Sequence, residues 1–107
     1  MNRLTAVLSA VLVGTCGVVC AQDAVQAGKT VFERDCIQCH GPGNEAVGTL
    51  QLARTRGEDK ALLTERTDLV PAYIEYIVRH GLNAMPPFVP SGLTETELKA
   101  LVAYLTD

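Results

Sequence analysis

Residues 36–40 read CIQCH: Cys36, Ile37, Gln38, Cys39 and His40. Two cysteines three apart, with a histidine directly after them, admit three chemistries. They can act as a redox thiol pair, supply half of a zinc site, or hold a covalently fixed haem. The rest of the chain weighs among the three.

At 107 residues the chain predicts one domain. Met1-Asn2-Arg3 is a short positive segment, and the apolar run LTAVLSAVLVGTCGVVCA follows it. The run ends in small residues, with Val19 and Ala21 at −3 and −1 of a cleavage site before Gln22. That layout predicts a secretory signal over residues 1–21, a folded domain over 22–107 and export to the periplasm. The run also approaches membrane-spanning length, so an uncleaved anchor competes with cleavage. Lipid modification at Cys16 or Cys20 is a weaker alternative, because Thr15 and Val19 precede them instead of a small-residue lipobox.

Loss of residues 1–21 removes Arg3 alone among charged residues, leaving 8 basic against 12 acidic and a net charge of −4. An acidic surface argues against nucleic acid or an anionic membrane as the main partner. The cysteines that remain are Cys36 and Cys39. A disulfide between them would close four residues and staple nothing distant. Small exported domains usually need a staple, a metal or a partner. With no tryptophan and 5% aromatics, this chain needs something else to fill its centre.

Period and punctuation predict an all-α domain. Residues 23–34 form a first helix with Val25, Gly28, Phe32 and Cys36 on one face. Gly28 costs roughly 1 kcal/mol relative to alanine in a helix interior, and its place on the apolar stripe predicts close approach of a second helix. Residues 41–60 read as loop, opened by the turn-forming GPGNEAVG. A short helix is expected around 60–65, with Leu62 and Leu63 pointing inward. Pro71 and His80 bound a stronger helix with Ile74, Ile77 and Val78 inward, proline at its first position and a left-handed Gly81 cap after it. Residues 82–92 contain Pro86, Pro87 and Pro90, which exclude a regular helix or inner strand and predict a stiff extended loop. Thr94 and Glu97 form a capping box. Leu98, Leu101, Val102 and Leu105 then mark a last helix, packed on the first. No segment shows a strand pattern.

In a helix-like turn, cysteines three apart reach both vinyl groups of a haem, and the next residue, His40, is carried under the iron. C-x-x-C-H therefore reads as c-type haem attachment through Cys36 and Cys39, and a large apolar group would replace the missing core. A thioredoxin-like pair expects a βαβ context. A structural zinc site needs four ligands, and His40 directly follows Cys39, which makes a shared tetrahedron difficult.

Met85 is the one methionine outside the leader and lies 45 residues after His40 in the proline-rich loop. Its thioether suits the iron face opposite His40, and Met/His ligation raises the haem potential. The competing role is a gap-filling core methionine. His80 is a second candidate for that face, set against a plain helix-end role beside the dipole. The other ring nitrogen of His40 needs an acceptor, expected from a backbone carbonyl between Gly41 and Leu50. Arg54, Arg56, Lys60, Arg66 and Arg79 read as a solvated face, with one of them available to a haem propionate or an acidic partner.

With CIQCH, AMPPF and the closing LKALVAYL, the chain resembles the small class I c-type cytochromes from about Ala27 to Leu105. The segment GKTVFERDCIQCHG is similar to that family's first helix and haem site. The resemblance implies a few helices around a covalent haem, with the N- and C-terminal helices crossing at Gly28 and Phe32 against Leu101 and Tyr104. It departs at VGTL, residues 47–50, where many members carry Gly-Pro-x-Leu and use the proline carbonyl to accept the histidine proton. The run RTDLVPAYIEYIVRHGLNAMPPF is also similar to the cytochrome subunits of flavocytochromes that oxidise 4-alkylphenols, which implies a flavin dehydrogenase as electron donor.

The expected function is one-electron transfer through a His40/Met85-ligated haem, either as a dehydrogenase subunit or as a free shuttle. Electrons would cross near Cys39 and the Met85–Phe88 loop, where Pro86, Pro87 and Phe88 form a docking patch or line the pocket. A haem enzyme or gas sensor would need a labile sixth position, and a thiol oxidoreductase would carry no colour.

Overall fold

A computed structural model describes residues 16–107 of the chain. The expected leader falls largely on residues 1–15, outside the described residues. Five helices follow in order: α1 (Cys16–Asp35), α2 (Ile37–His40), α3 (Val47–Arg56), α4 (Pro71–His80) and α5 (Glu95–Thr106). Two 3₁₀ turns, Glu58–Lys60 and Leu63–Glu65, lie between α3 and α4. Among the described residues there is no strand, only an isolated bridge between Leu82 and Met85. None of their helices is long and apolar enough to cross a membrane. The all-α expectation holds.

The core sits where α1 crosses α5, with α4 closing its side. Val31 and Phe32 from α1, Ile74 and Val78 from α4, and Leu98 and Leu101 from α5 are buried together. The crossing is close because Gly28 has no side chain: a Cβ there would lie 1.9 Å from the Ala100 carbonyl oxygen and 2.7 Å from Tyr104 Cβ. Phe32 and Tyr104 pack with ring centroids 5.7 Å apart at a 54° tilt, a favoured edge-on arrangement. Close approach at Gly28 was the expectation from its stripe position, and it is met.

α5 begins as its sequence predicts. Thr94 Oγ1 accepts from the Glu97 N–H at 3.2 Å, and Glu97 Oε2 accepts from the Thr94 N–H at 2.9 Å. Arg34 on α1 reaches the same carboxylate at 3.0 Å. The Thr94 N–H first, and Arg34 second, hold Glu97 below the usual carboxylate range. Thr94→Ala is expected to lower unfolding stability by about 1 kcal/mol, measured by denaturant titration, while leaving the buried crossing intact.

Three expectations need correction. α1 starts at Cys16, seven residues before the predicted start at Asp23: Val18, Val19, Cys20, Ala21 and Gln22 continue the helix upstream, and Gly17 is tolerated within it. Residues 41–60 are not all loop: Val47–Arg56 is helical. Its apolar side chains do not share a face, Val47 being exposed and Leu50 and Leu52 half-buried, so no period announced it. Gly81 has positive φ, 71°, but ψ is 175°, so it is not a left-handed helix cap. Its N–H nevertheless bonds the Ile77 carbonyl at 2.7 Å.

Candidate haem site

Cys36, Cys39 and His40 are brought together by one helical turn. The Cys36 carbonyl accepts from the Cys39 N–H at 3.2 Å and from the His40 N–H at 2.9 Å. That turn puts both sulfurs and the imidazole on one short segment immediately after α1. Cys36 is half-buried against the core, Cys39 is exposed, and the two are not joined in a disulfide. Burial pushes the Cys36 thiol up to about 11, so it is a protonated thiol at neutral pH rather than a reactive thiolate. That disfavours a redox pair, as does the lack of any strand among the described residues. No group of three or more His, Cys, Asp and Glu side chains among them is arranged to hold a metal ion.

Burial also holds the His40 imidazole below its ordinary value. It is neutral at pH 7, with a lone pair available to a metal. Its Nδ1 is buried with no hydrogen-bond partner, contrary to the carbonyl acceptor expected between Gly41 and Leu50. In place of such a bond, the Gly41 carbonyl accepts from the buried Thr49 hydroxyl at 2.7 Å. Gly48 lies under the ring, where a Cβ would meet the Cys39 oxygen at 2.6 Å and His40 Cε1 at 2.9 Å. Thr49 and Gly48 thus shape the His40 side through VGTL, where the proline of the related pattern is missing. Neither could be singled out beforehand, since a threonine hydroxyl and a bare Cα announce no partner until the chain folds.

Met85 lies in the loop between α4 and α5. It is half-buried and packs on the same core cluster as Cys36, Leu63, Leu69 and Phe88. The loop is a tight turn: the Leu82 N–H bonds the Met85 carbonyl at 3.1 Å and the Met85 N–H returns to Leu82 at 2.9 Å. Asn83, with φ 53°, occupies the left-handed corner. His80 is exposed, stacked on Tyr76 with ring centroids 4.2 Å apart, and its Nδ1 lies 2.8 Å from the Tyr76 carbonyl. It takes the helix-end role weighed for it. A cleft of about 250 Å³ opens beside His40, lined by Phe32, Ile37, Leu62 and Tyr104 among others. Met85 is not in its wall, so this cleft is not the space between the two axial candidates.

The basic residues divide. Arg54 and Arg56 are exposed. Lys60 and Arg66 pair with Asp68 at 3.3 and 2.9 Å. Arg79 is drawn inward, which its place in a basic set did not foretell.

An all-α chain with C-x-x-C-H after its first helix and a methionine loop before its last has the layout of a small c-type cytochrome. Residues 23–105 match the family described as Cytochrome C oxidase, cbb3-type, subunit III. The chain is 32% identical over 103 residues to a cytochrome c6 of Thermosynechococcus vestitus, covering 95% of this chain and 85% of the relative. It is 33% identical over 81 residues to a cytochrome c6 of Synechococcus elongatus, 75% and 85% of the two chains. It is 32% identical over 80 residues to the cytochrome c subunit of 4-cresol dehydrogenase [hydroxylating] of Pseudomonas putida, covering 75% of this chain and 58% of that one. No solved structure matches. The chain belongs to the cytochrome c family and is an electron-transfer protein rather than an enzyme.

The family implies haem c, and the donor set is compatible with it. A neutral imidazole and a thioether suit haem iron, and two thiols one turn apart suit its vinyl groups. Cys36 and Met85 border one apolar region whose own aromatic content is small.

Proposed function

We propose that the chain is a periplasmic one-electron carrier in which Cys36 and Cys39 hold haem c covalently while His40 and Met85 ligate its iron. The observation that carries this reading is the single turn that holds both thiols and a neutral His40, with Cys36 and Met85 packed on one apolar cluster. Haem supplies the ferrous–ferric couple. The chain supplies a fixed ligand on each side, apolar cover from Leu63, Leu69 and Phe88, and an exposed Cys39 edge for partner approach. Pro86 and Pro87 are exposed beside that loop and Phe88 is half-buried against the core, so the prolines form the docking patch and Phe88 lines the pocket.

Attachment is tested by intact mass and thiol alkylation of the exported protein. The expected mass is that of the polypeptide from Gln22 plus one haem, with neither thiol alkylatable. Replacing both Cys36 and Cys39 with alanine is expected to abolish covalent haem, read by haem staining after denaturation. A product of polypeptide mass alone from the unaltered chain overturns the proposal. The same measurement reports removal of residues 1–21.

For the donor, similarity to the 4-cresol dehydrogenase cytochrome subunit supports a flavin dehydrogenase partner. A free shuttle is the alternative, and coverage does not separate the two, since a cytochrome c6 and that subunit each match 75% of this chain. Native purification separates them: a co-purifying flavoprotein supports the subunit, and a single small species supports the shuttle.

A further inference from the structure

The loop that carries Met85 has few donors of its own. Pro86, Pro87 and Pro90 offer no N–H. Phe88 N–H bonds the Val78 carbonyl at 2.8 Å, and the Gly92 and Leu93 N–H groups both turn back to Val89 at 2.9 Å. The remaining tether comes from α4. Arg79, with only 16% of its side chain exposed, donates from one guanidinium nitrogen to the Phe88 carbonyl at 3.0 Å and to the Leu93 carbonyl at 2.7 Å. Its other terminal nitrogen pairs with Glu95 at 2.6 Å. One side chain thus closes both ends of the Phe88–Leu93 segment and joins it to the start of α5.

We propose that Arg79 is a positioning residue for Met85, fixing the loop so that the thioether stays on the iron and resists displacement. This rests on the His40/Met85 ligation proposed above. Upstream, Met85 is held by the Leu82 turn, and Gly81 leaves room for its carbonyl: a Cβ on Gly81 would lie 2.5 Å from the Met85 oxygen. Downstream, Pro86 and Pro87 lead directly to Phe88, whose N–H bonds the Val78 carbonyl and whose own carbonyl the guanidinium holds. For Met85 to swing away while the turn stays intact, the downstream side must yield, and the bonds from Arg79 are lost in that open state. A planar fork with several donors makes this bridge; a lysine ammonium lacks that geometry.

The test uses full-length holoprotein and added imidazole, which competes with Met85 for ferric iron. Arg79→Gln is expected to raise the apparent imidazole affinity about tenfold, the factor for ~1.4 kcal/mol, and Arg79→Lys by a smaller factor. Val31→Ala, in the core on α1 and outside the bonds that Arg79 makes, serves as a control that loses thermal stability while keeping those bonds. An Arg79→Gln affinity equal to the unaltered protein overturns the proposal. So does an equal rise in Val31→Ala at matched loss of melting temperature. If Arg79→Gln gives no folded holoprotein, Arg79→Lys decides on the same two comparisons. The ligation itself is read separately. An unaltered ferric protein lacking the methionine-to-iron charge-transfer band refutes Met85 as ligand, whatever Arg79 does.

Discussion

Met85→Ala is expected to convert a closed carrier into a ligand-binding haem protein. The unaltered ferrous protein should take up carbon monoxide slowly and incompletely, because in the ligation proposed above Met85 must first leave. The variant should bind it fast and fully. Axial ligands set haem potentials over about 0.8 V, and methionine raises them, so loss of the thioether should lower the midpoint by on the order of 0.1 V. Redox titration with carbon monoxide difference spectra checks both. His80 offers no ready substitute, since its ring is stacked on Tyr76 with Nδ1 beside the Tyr76 carbonyl. Rapid, complete carbon monoxide binding by the unaltered protein would remove the carrier function and favour a sensor or peroxidase.

Gly28→Val is expected to prevent the native crossing. Even the first carbon added at Gly28 falls 1.9 Å from a backbone oxygen of α5, and backbone cannot rotate aside as a side-chain tip can. Overpacking in a filled core costs about 3 kcal/mol at its upper range, and here it displaces a whole helix. Small domains have little stability in reserve. The variant should lose its cooperative thermal transition and yield little soluble holoprotein. Gly28→Ala should show the same direction at reduced size. A Gly28→Val protein melting as the unaltered chain does would mean that α1 and α5 do not cross here.

What could be read in advance follows from how local each cause is. The helix at Pro71–His80 and the Thr94–Glu97 box are set by residues within one turn of each other, and both appear where the spacing put them. Gly28 was legible because a glycine on an apolar stripe has few other reasons to be there. CIQCH was legible because its chemistry is bound to its spacing. α3 was not, since Val47, Leu50 and Leu52 meet different surroundings and make no stripe. The orphaned His40 Nδ1 and the inward turn of Arg79 depend on carbonyls from Phe88 and Leu93 and on the hydroxyl of Thr49. Such partners are chosen by the tertiary fold, and an arginine reads the same on paper whether it faces water or spans a loop.

The contact of Gly28 with Ala100 joins residues 72 positions apart. Closing so long a stretch of chain costs roughly 4 kcal/mol beyond a constant, which the apolar burial around the crossing must offset. For the attachment proposed above, both sulfurs are most open to a haem before the crossing closes. Afterwards Cys36 is partly enclosed. The proposed loading is therefore expected to be easiest on an unlocked polypeptide, with the helix crossing as a latch over Cys36.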